Sequence, residues 1–459
     1  MIHILVQISK YFMILLFLIY TYECFHVFRF ESNSGRQLAI YNTQRELMYV
    51  IHFNGFFILF LTSKNVQIIG FYFMQIVLLA GIYLIYHKFY KNSSELVLNN
   101  MCMLLCIGMI ILTRLSFEKA FRQFVFCVAG VVIAVFLPLI LHKLRFLNKL
   151  TWLYAIVGIA ALAVVAVAGA TSYGAKLSIS IGGISIQPSE FVKILYVFFI
   201  ACMMYKKNDI RQTMITSIVS AIFVLTLVAS RDLGGALLFF FTYLVMIYAA
   251  TQKWYYFAGG LGFLTIAALG GNMFFSHVQN RVLAWKDPLS VIDKEGYQVC
   301  QSLFAIGTGG WFGLGLNQGL PNKIPVVEKD FVFSAISEEM GGIFAICIIM
   351  VCISCFLMIF NVSMQMKDDF YRLIALGLGS IYALQVFLTI GGVTKFIPST
   401  GVTLPLVSYG GSSLLSTMII FGVIQGLYIL QSEQKNYTNN RNKKKRKKSK
   451  KKEMQKEMT

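Results

Sequence analysis

Long apolar runs recur along nearly the whole chain, and no other feature restricts its folding as strongly. About twenty consecutive apolar residues span a bilayer as one helix. By that rule the sequence predicts about thirteen spans, centred near residues 17, 55, 76, 105, 130, 160, 197, 221, 242, 264, 346, 381 and 419. Backbone polar groups in lipid must be satisfied within the segment, so the spans are expected to be helices. The runs lack the short alternation of barrel strands. With 57% of residues hydrophobic and 13% charged, the expectation is an all-α polytopic membrane protein.

The charge that remains sets an orientation. Net charge is +20, and the run from Arg441 to Lys456 carries much of it. Directly after a membrane segment such a run is expected to lie on anionic cytoplasmic lipid rather than on nucleic acid. Basic short loops follow His142, Tyr205 and Lys367. Placing all of these in the cytoplasm leaves two long loops outside, about 171–187 and 276–330. The apolar run from Tyr11 to Tyr22 has no small-residue cleavage pattern and reads as a retained anchor. Nine cysteines sit mostly inside apolar runs, so even the Cys352–Cys355 pair is expected to pack rather than bind metal. Six histidines are scattered, with only His277 in the long outer loop, and zinc is not indicated.

Glycine and proline divide the chain. Four of 36 glycines precede residue 97, and six of seven prolines lie between Pro188 and Pro405. Residues 1–96 therefore read as an added membrane module of about three plain helices with no role assigned. Residues 97–431 read as a core of about ten helices, and 432–459 as a polybasic cytoplasmic tail. Helix breaks at membrane depth line cavities.

Four stretches depart from plain lipid-facing helix. In "GAKLSISIGGISIQPSEFVKI", a glycine-rich outer loop leads into Gln187-Pro188, with Glu190 and Lys193 spaced to pair on the new helix. In "SRDLGGALLFF", Arg231 and Asp232 occupy a short turn between spans and are expected to face the outer vestibule. In "KDFVFSAISEEMGG", an acid and two adjacent glutamates stand at the mouth of an apolar helix. Carboxylates at that depth are costly and face a cavity or a bundle interior. At about 100° per residue, Asp330, Ser334, Ser337 and Gly341 share a face that Glu338 flanks and Glu339 does not. Asp330 and Glu338 are thus expected to face the outer cavity near Arg231 or Lys395, and Glu339 to face away. In "FIPSTGVTLPLVSYGGSSLL", two prolines and the group around Ser408, Tyr409 and Ser412 interrupt the last hairpin.

Together these stretches resemble the SEDS family (shape, elongation, division and sporulation proteins) of the RodA and FtsW type. The resemblance is carried by "GAK" with "IQPSEFVK", "RDLGGALL", "GYQVCQSLFAIGTGGWFGLGL", "DFVFSAISEEMG" and "TGVTLPLVSYGGSS", five motifs in the family's order over residues 174–415. It implies a ten-helix core over about 97–431 and a peptidoglycan glycosyltransferase of the bacterial plasma membrane. It also implies lipid II as substrate and a class B penicillin-binding protein as partner. The alternatives are a flippase for the lipid-linked precursor and a non-catalytic scaffold. A lipid-anchored diphosphate sugar needs an opening to lipid, cations for the diphosphate and a carboxylate at the sugar. Arg231, Arg281, Lys286 and Lys395 are the candidate cations, with a magnesium or manganese ion as a candidate aid. Substrate contacts are expected from Gln187, Glu190, Lys193, Arg231, Asp232, Tyr297, Gln298, Asp330, Glu338, Lys395, Ser408, Tyr409 and Ser412.

One departure from the family pattern concerns the catalytic acid. Members read D-P-x-G-x-G-Y-Q in the outer loop, and the resemblance implies that the first Asp is catalytic. Aligned on Gly296-Tyr297-Gln298, that position is Val291. Asp293 is two residues on and keeps the same side of an extended segment, which makes it the first candidate base. Asp287 is the second, although an Asp before Pro288 is also suited to shaping a turn. Glu295 is the remaining nearby acid.

Overall fold

The computed structural model describes residues 2–30, 35–143, 146–172, 175–181, 184–206 and 209–457. Every expected span centre falls inside a helix. They are α1 (Ile2–His26), α2 (Gly35–Ser63), α3 (Gln67–Phe89), α4 (Glu95–Leu115), α5 (Phe117–Lys143), α6 (Thr151–Ala168) and α7 (Pro188–Met204). Next come α8 (Ile210–Ala229), α9 (Leu233–Thr251) and α10 (Trp254–Phe274). Two short helices, α11 (Ser276–Lys286) and α12 (Tyr297–Gly309), follow before α13 (Val332–Gln365), α14 (Asp369–Val393) and α15 (Gly411–Glu457). Among the described residues twelve helices are long and apolar enough to cross a membrane, and α7, with 17 residues, is shorter and largely buried. The chain is a multi-pass membrane protein.

The fold is not purely helical. The segment read as an irregular glycine-rich loop forms a small antiparallel sheet, β1 (Ala170–Ser172), β2 (Ala175–Ile181) and β3 (Ile184–Ile186), in the order β1-β2-β3. Ile179 pairs with Ile186 and Ile181 with Ile184. The reason is local: Ser and Ile alternate with the period of a strand, and β-branched residues suit it. Gly174, Leu144, Arg145 and Lys207, which belong to stretches singled out above, lie outside the described residues. So do the side chains of the basic run after Tyr437.

The core centres on α4, whose apolar stretch is entirely buried. Its polar side chains tie it to the N-terminal helices. Tyr20 Oη and Cys24 Sγ both donate to Asn100 Oδ1 (3.0 and 3.1 Å), and Asn100 Nδ2 donates to Ser354 Oγ (3.0 Å). Asn99 Nδ2 donates to Gln44 Oε1 (2.9 Å), and Arg45 pairs with Glu95 (3.2 Å). The three N-terminal helices are therefore less plain than their composition indicates. They pack on α4, α5 and α13.

α13 breaks at Gly341, where φ is +91° and ψ is 165°. The break lets the Trp311–Leu320 segment pair with the opened helix: Leu314 N and Gly315 N donate to the carbonyls of Glu338 and Glu339 (3.0 and 2.8 Å). A Cβ on Gly341 would lie 2.4 Å from Gly313 N, so glycine is required by both angle and space. Gly341→Ala should destabilise the protein by about 1–3 kcal/mol or more. The check is the melting temperature in detergent, and an unchanged value would refute the packing argument.

Candidate active site

The turns and loops at one end of the bundle enclose a cavity of about 1050 Å³. It is large enough for a disaccharide head. Its wall draws on the sheet, the start of α7, the α8–α9 turn, α11, the segment before α13, and the irregular connection from α14 to α15.

The first wall is the start of α7. Pro188 opens the helix, and Gln187 lines the cavity, with its amide donating to Ser412 Oγ (3.0 Å). Glu190 and Lys193 pair at 2.5 Å as their spacing predicts. Lys193 also donates to Gln385 Oε1 (2.9 Å), and Ser416 Oγ donates to Glu190 Oε2 (2.8 Å). Lys193 is only 3% exposed, so this network is part of the cavity floor rather than a surface pair.

Arg231 and Asp232 form the second wall. Asp232 caps α9 by accepting from Gly235 N (2.8 Å). Burial pushes its carboxyl above the ordinary range, partly offset by that backbone bond. Arg231, Lys395 and Val326 all line the cavity with left-handed φ values of +62°, +60° and +55°. Each such conformation costs a non-glycine residue on the order of 1 kcal/mol or more. Of the seven such non-glycine residues among those described, these three line the cavity.

Arg281 and His277 reach in from α11. Arg281 donates to the Ser399 carbonyl (3.2 Å) and lies within the fields of Asp232 and Asp330. Burial, with Arg231 and Arg281 nearby, pushes the His277 imidazole below its usual range, so it stands neutral at pH 7. Asp330 lies at the rim just before α13. Burial raises its carboxyl to about 6, with Lys329 and Arg281 opposing a larger rise.

The expected residues divide clearly. Gln187, Glu190, Lys193, Arg231, Asp232, Gln298, Asp330, Lys395, Tyr409 and Ser412 line the cavity. Tyr297 and Ser408 do not. Tyr297 starts α12 with its ring exposed, and Ser408 Oγ is buried holding Leu404 N (2.9 Å). Glu338 also lies outside the cavity, contrary to expectation, because α13 starts at Val332 and the helical projection from Asp330 does not apply. Its Oε1 accepts from Leu320 N (3.0 Å). Glu339 faces away from the cavity and holds Arg114 Nε (2.9 Å), Asn317 N (3.0 Å) and Gly319 N (3.2 Å). The adjacent glutamates thus fasten a loop.

Neither Asp293 nor Asp287 lines the cavity, and both are exposed. The argument from an extended segment fails because residues 288–296 are a compact turn, closed by Gly296 N on the Val291 carbonyl (2.9 Å). Asp287 Oδ1 accepts from Ser290 N (3.3 Å), which is the turn-shaping role. Glu295 is the acid of this loop that lines the cavity. Of the candidate cations, Lys286 is left outside.

A family model described as "Cell cycle protein" (FtsW, RodA, SpoVE) matches residues 94–433. The chain belongs to the FtsW/RodA/SpoVE family. Peptidoglycan glycosyltransferase RodA of Mycobacterium tuberculosis is 32% identical over 376 residues, covering 76% of this chain and 80% of that protein. Stage V sporulation protein E of Bacillus subtilis is 30% identical over 325 residues, covering 67% and 86%. The fold is similar to that in a peptidoglycan synthase complex whose structure describes coordination of polymerization and crosslinking. There the TM-score is 0.63 with 22% identity, over 74% of this chain and 98% of that one. Rod shape determining protein RodA of Thermus thermophilus gives a TM-score of 0.57 at 22% identity, over 73% and 96%.

The motifs that identify an FtsW/RodA/SpoVE chain did not point to every cavity residue. Phe121, Arg122 and Val125 of α5 also line the cavity. Phe121 and Val125 are 44% and 54% exposed on a membrane-spanning helix, so the cavity reaches the exposed face of α5 there. Their stretch opens a long apolar run with Glu118, Lys119 and Arg122 near its start, and nothing in its spacing sets it apart. Arg114, which secures the loop, sits in the same unremarked hairpin.

Proposed function

We propose that this peptidoglycan glycosyltransferase joins lipid II units into glycan strands within the cavity, at the outer face of the plasma membrane. The observation that carries the reading is one cavity that gathers Glu190, Asp232, Glu295 and Asp330 with Arg231, Arg281 and Lys395 and reaches the exposed face of α5. The exposed α5 surface suits the lipid tail, the cations suit the diphosphate, and the carboxylates suit the sugars.

Asp330 is the proposed general base. Glu190 is engaged with Lys193, and Asp232 is engaged as a helix cap. A base works best with a pKa near the operating pH, and about 6 meets that condition. The acceptor hydroxyl attacks the anomeric carbon of the donor while its proton passes to Asp330. The bond from that carbon to the diphosphate oxygen breaks, and its electron pair leaves with the diphosphate against Arg231, Arg281 and Lys395. Among the described residues no group of three or more His, Cys, Asp and Glu converges as a metal site. No step above depends on a magnesium or manganese ion.

A class B penicillin-binding protein is the proposed partner. Purified protein with lipid II and that partner should yield glycan strands on a gel. Labelled lipid crossing a proteoliposome membrane without polymer would favour a flippase. A second reading, a non-catalytic scaffold, is favoured by Val291 at the family's aspartate position. It would be supported if no strands form with any partner while a relative works in the same assay.

The orientation is testable because all nine native cysteines are buried, leaving little background. An impermeant maleimide should label Ser290→Cys in intact cells and not Ser449→Cys in the basic tail. Labelling of the tail position would invert the assignment.

A further inference from the structure

The family match begins at residue 94, yet α1 reaches the Trp311–Leu320 loop of the matched core. Gln7 Nε2 donates to the Leu314 carbonyl (3.0 Å), and Lys10 Nζ donates to the Gly313 carbonyl (2.9 Å). The Tyr11 ring meets the Phe312 ring at 5.6 Å. A Cβ on Gly315 would fall 2.7 Å from Val6 Cγ1, so the contact is close enough to require glycine. α1 is itself fixed: Asn54 of α2 donates to Ser9 Oγ (2.9 Å), and the Phe17 ring packs at a tilt against Phe344, with centroids 4.5 Å apart.

The far side of the same loop holds the short helical piece Val332–Met340 that follows Asp330. Gly341 separates this piece from the rest of α13, so helix continuity does not set its position. The loop helps to set it, through the backbone pairs to Glu338 and Glu339 and through their carboxylates, together with Ser302 Oγ on Ser334 Oγ (2.7 Å) and Arg114 on Glu339 (2.9 Å). The loop is thus gripped between α1 on one side and, on the other, the helical piece that begins two residues after Asp330.

We propose that α1 is a built-in clamp, with Gln7 and Lys10 as positioning residues that hold the Trp311–Leu320 loop and through it set Asp330 in the cavity. The proposal rests on the reading of Asp330 as base for its effect on rate, but not for its effect on the loop. Residues 1–96 then act within this chain, and α1 is a permanent part of the catalytic scaffold.

The test uses the full-length protein with lipid II and its synthase partner. The variant Gln7→Ala/Lys10→Met removes both donors while keeping an apolar stem at residue 10. Misplacing a catalytic group by about 1 Å can cost on the order of a hundredfold, so a loss of kcat of at least tenfold is expected, with KM nearly unchanged. The acid limb of the pH–rate profile should move with it. Backbone amides of residues 314–320 should exchange with deuterium at least tenfold faster. The single variant Lys10→Arg, which keeps Gln7 and a charged donor at residue 10, should keep most of the protection. Unchanged exchange together with unchanged kcat would overturn the clamp. A variant that melts globally, with amides of α14 also exposed, would overturn it in favour of a general packing role. Faster exchange and slower polymerisation, in a protein where Asp330→Asn stays active, would keep the clamp and remove Asp330 as the base.

Discussion

Asp330→Asn should reduce lipid II polymerisation by about a hundredfold to ten-thousandfold while leaving expression intact. That is the usual range for removing a general base. The substitution nearly preserves size and deletes the proton acceptor. Asp293→Asn and Asp287→Asn, both exposed and outside the cavity, should retain close to full activity. The pH dependence follows from the raised carboxyl. A base must be deprotonated to act, and burial places Asp330 at about 6. Activity should therefore be full well above pH 6 and fall as pH drops through that value. Initial rates of strand formation across pH 5 to 8 would show it. An active Asp330→Asn protein with a dead Glu295→Gln protein would move the role to Glu295, the other carboxylate on the cavity wall whose loop replaces the family's aspartate.

Glu339→Ala should be among the most destabilising single changes in the chain. The Glu339 side chain is fully buried, and Arg114 beside it is only 12% exposed. Removing the carboxylate strands a buried guanidinium and takes the acceptor from the amides of Asn317 and Gly319. Breaking a buried pair in this way costs about 3–5 kcal/mol. Glu338→Ala removes the acceptor for Leu320 N and should cost about 1–3 kcal/mol. The order is the reverse of the one implied by placing Glu338 in the cavity. Melting of the purified variants in detergent would decide it, and a larger loss from Glu338→Ala would refute the loop-fastening role. The Arg114→Met/Glu339→Met pair should lose less than the sum of its two single changes, because no charge is left buried alone.

Much of the architecture is legible in the residues themselves. Helix number and position follow from apolar length, because a bilayer admits few other solutions for the backbone. One helix start at the cavity is legible too: Pro188 with Glu190 and Lys193 is local chemistry acting within a few residues, whereas Asp232, read as a turn residue facing the vestibule, also caps α9. The β-sheet was missed although its Ser–Ile alternation is present, since glycines on either side suggest a loop.

What only the tertiary structure decided is which acids face the cavity. Asp330, Glu338 and Glu339 are near neighbours of one chemical type, and a helical projection sorts them only if one unbroken helix carries all three. The helix begins at Val332 and breaks at Gly341, and a loop enters the break. Likewise Asp293 lies beyond reach because residues 288–296 fold into a turn rather than extend. The sequence by itself determined a many-helix membrane bundle and the motifs around one end of it. It could not assign its carboxylates, because their roles depend on partners far apart in the chain: Arg114 for Glu339, Arg281 for Asp330, and α1 for the loop between them.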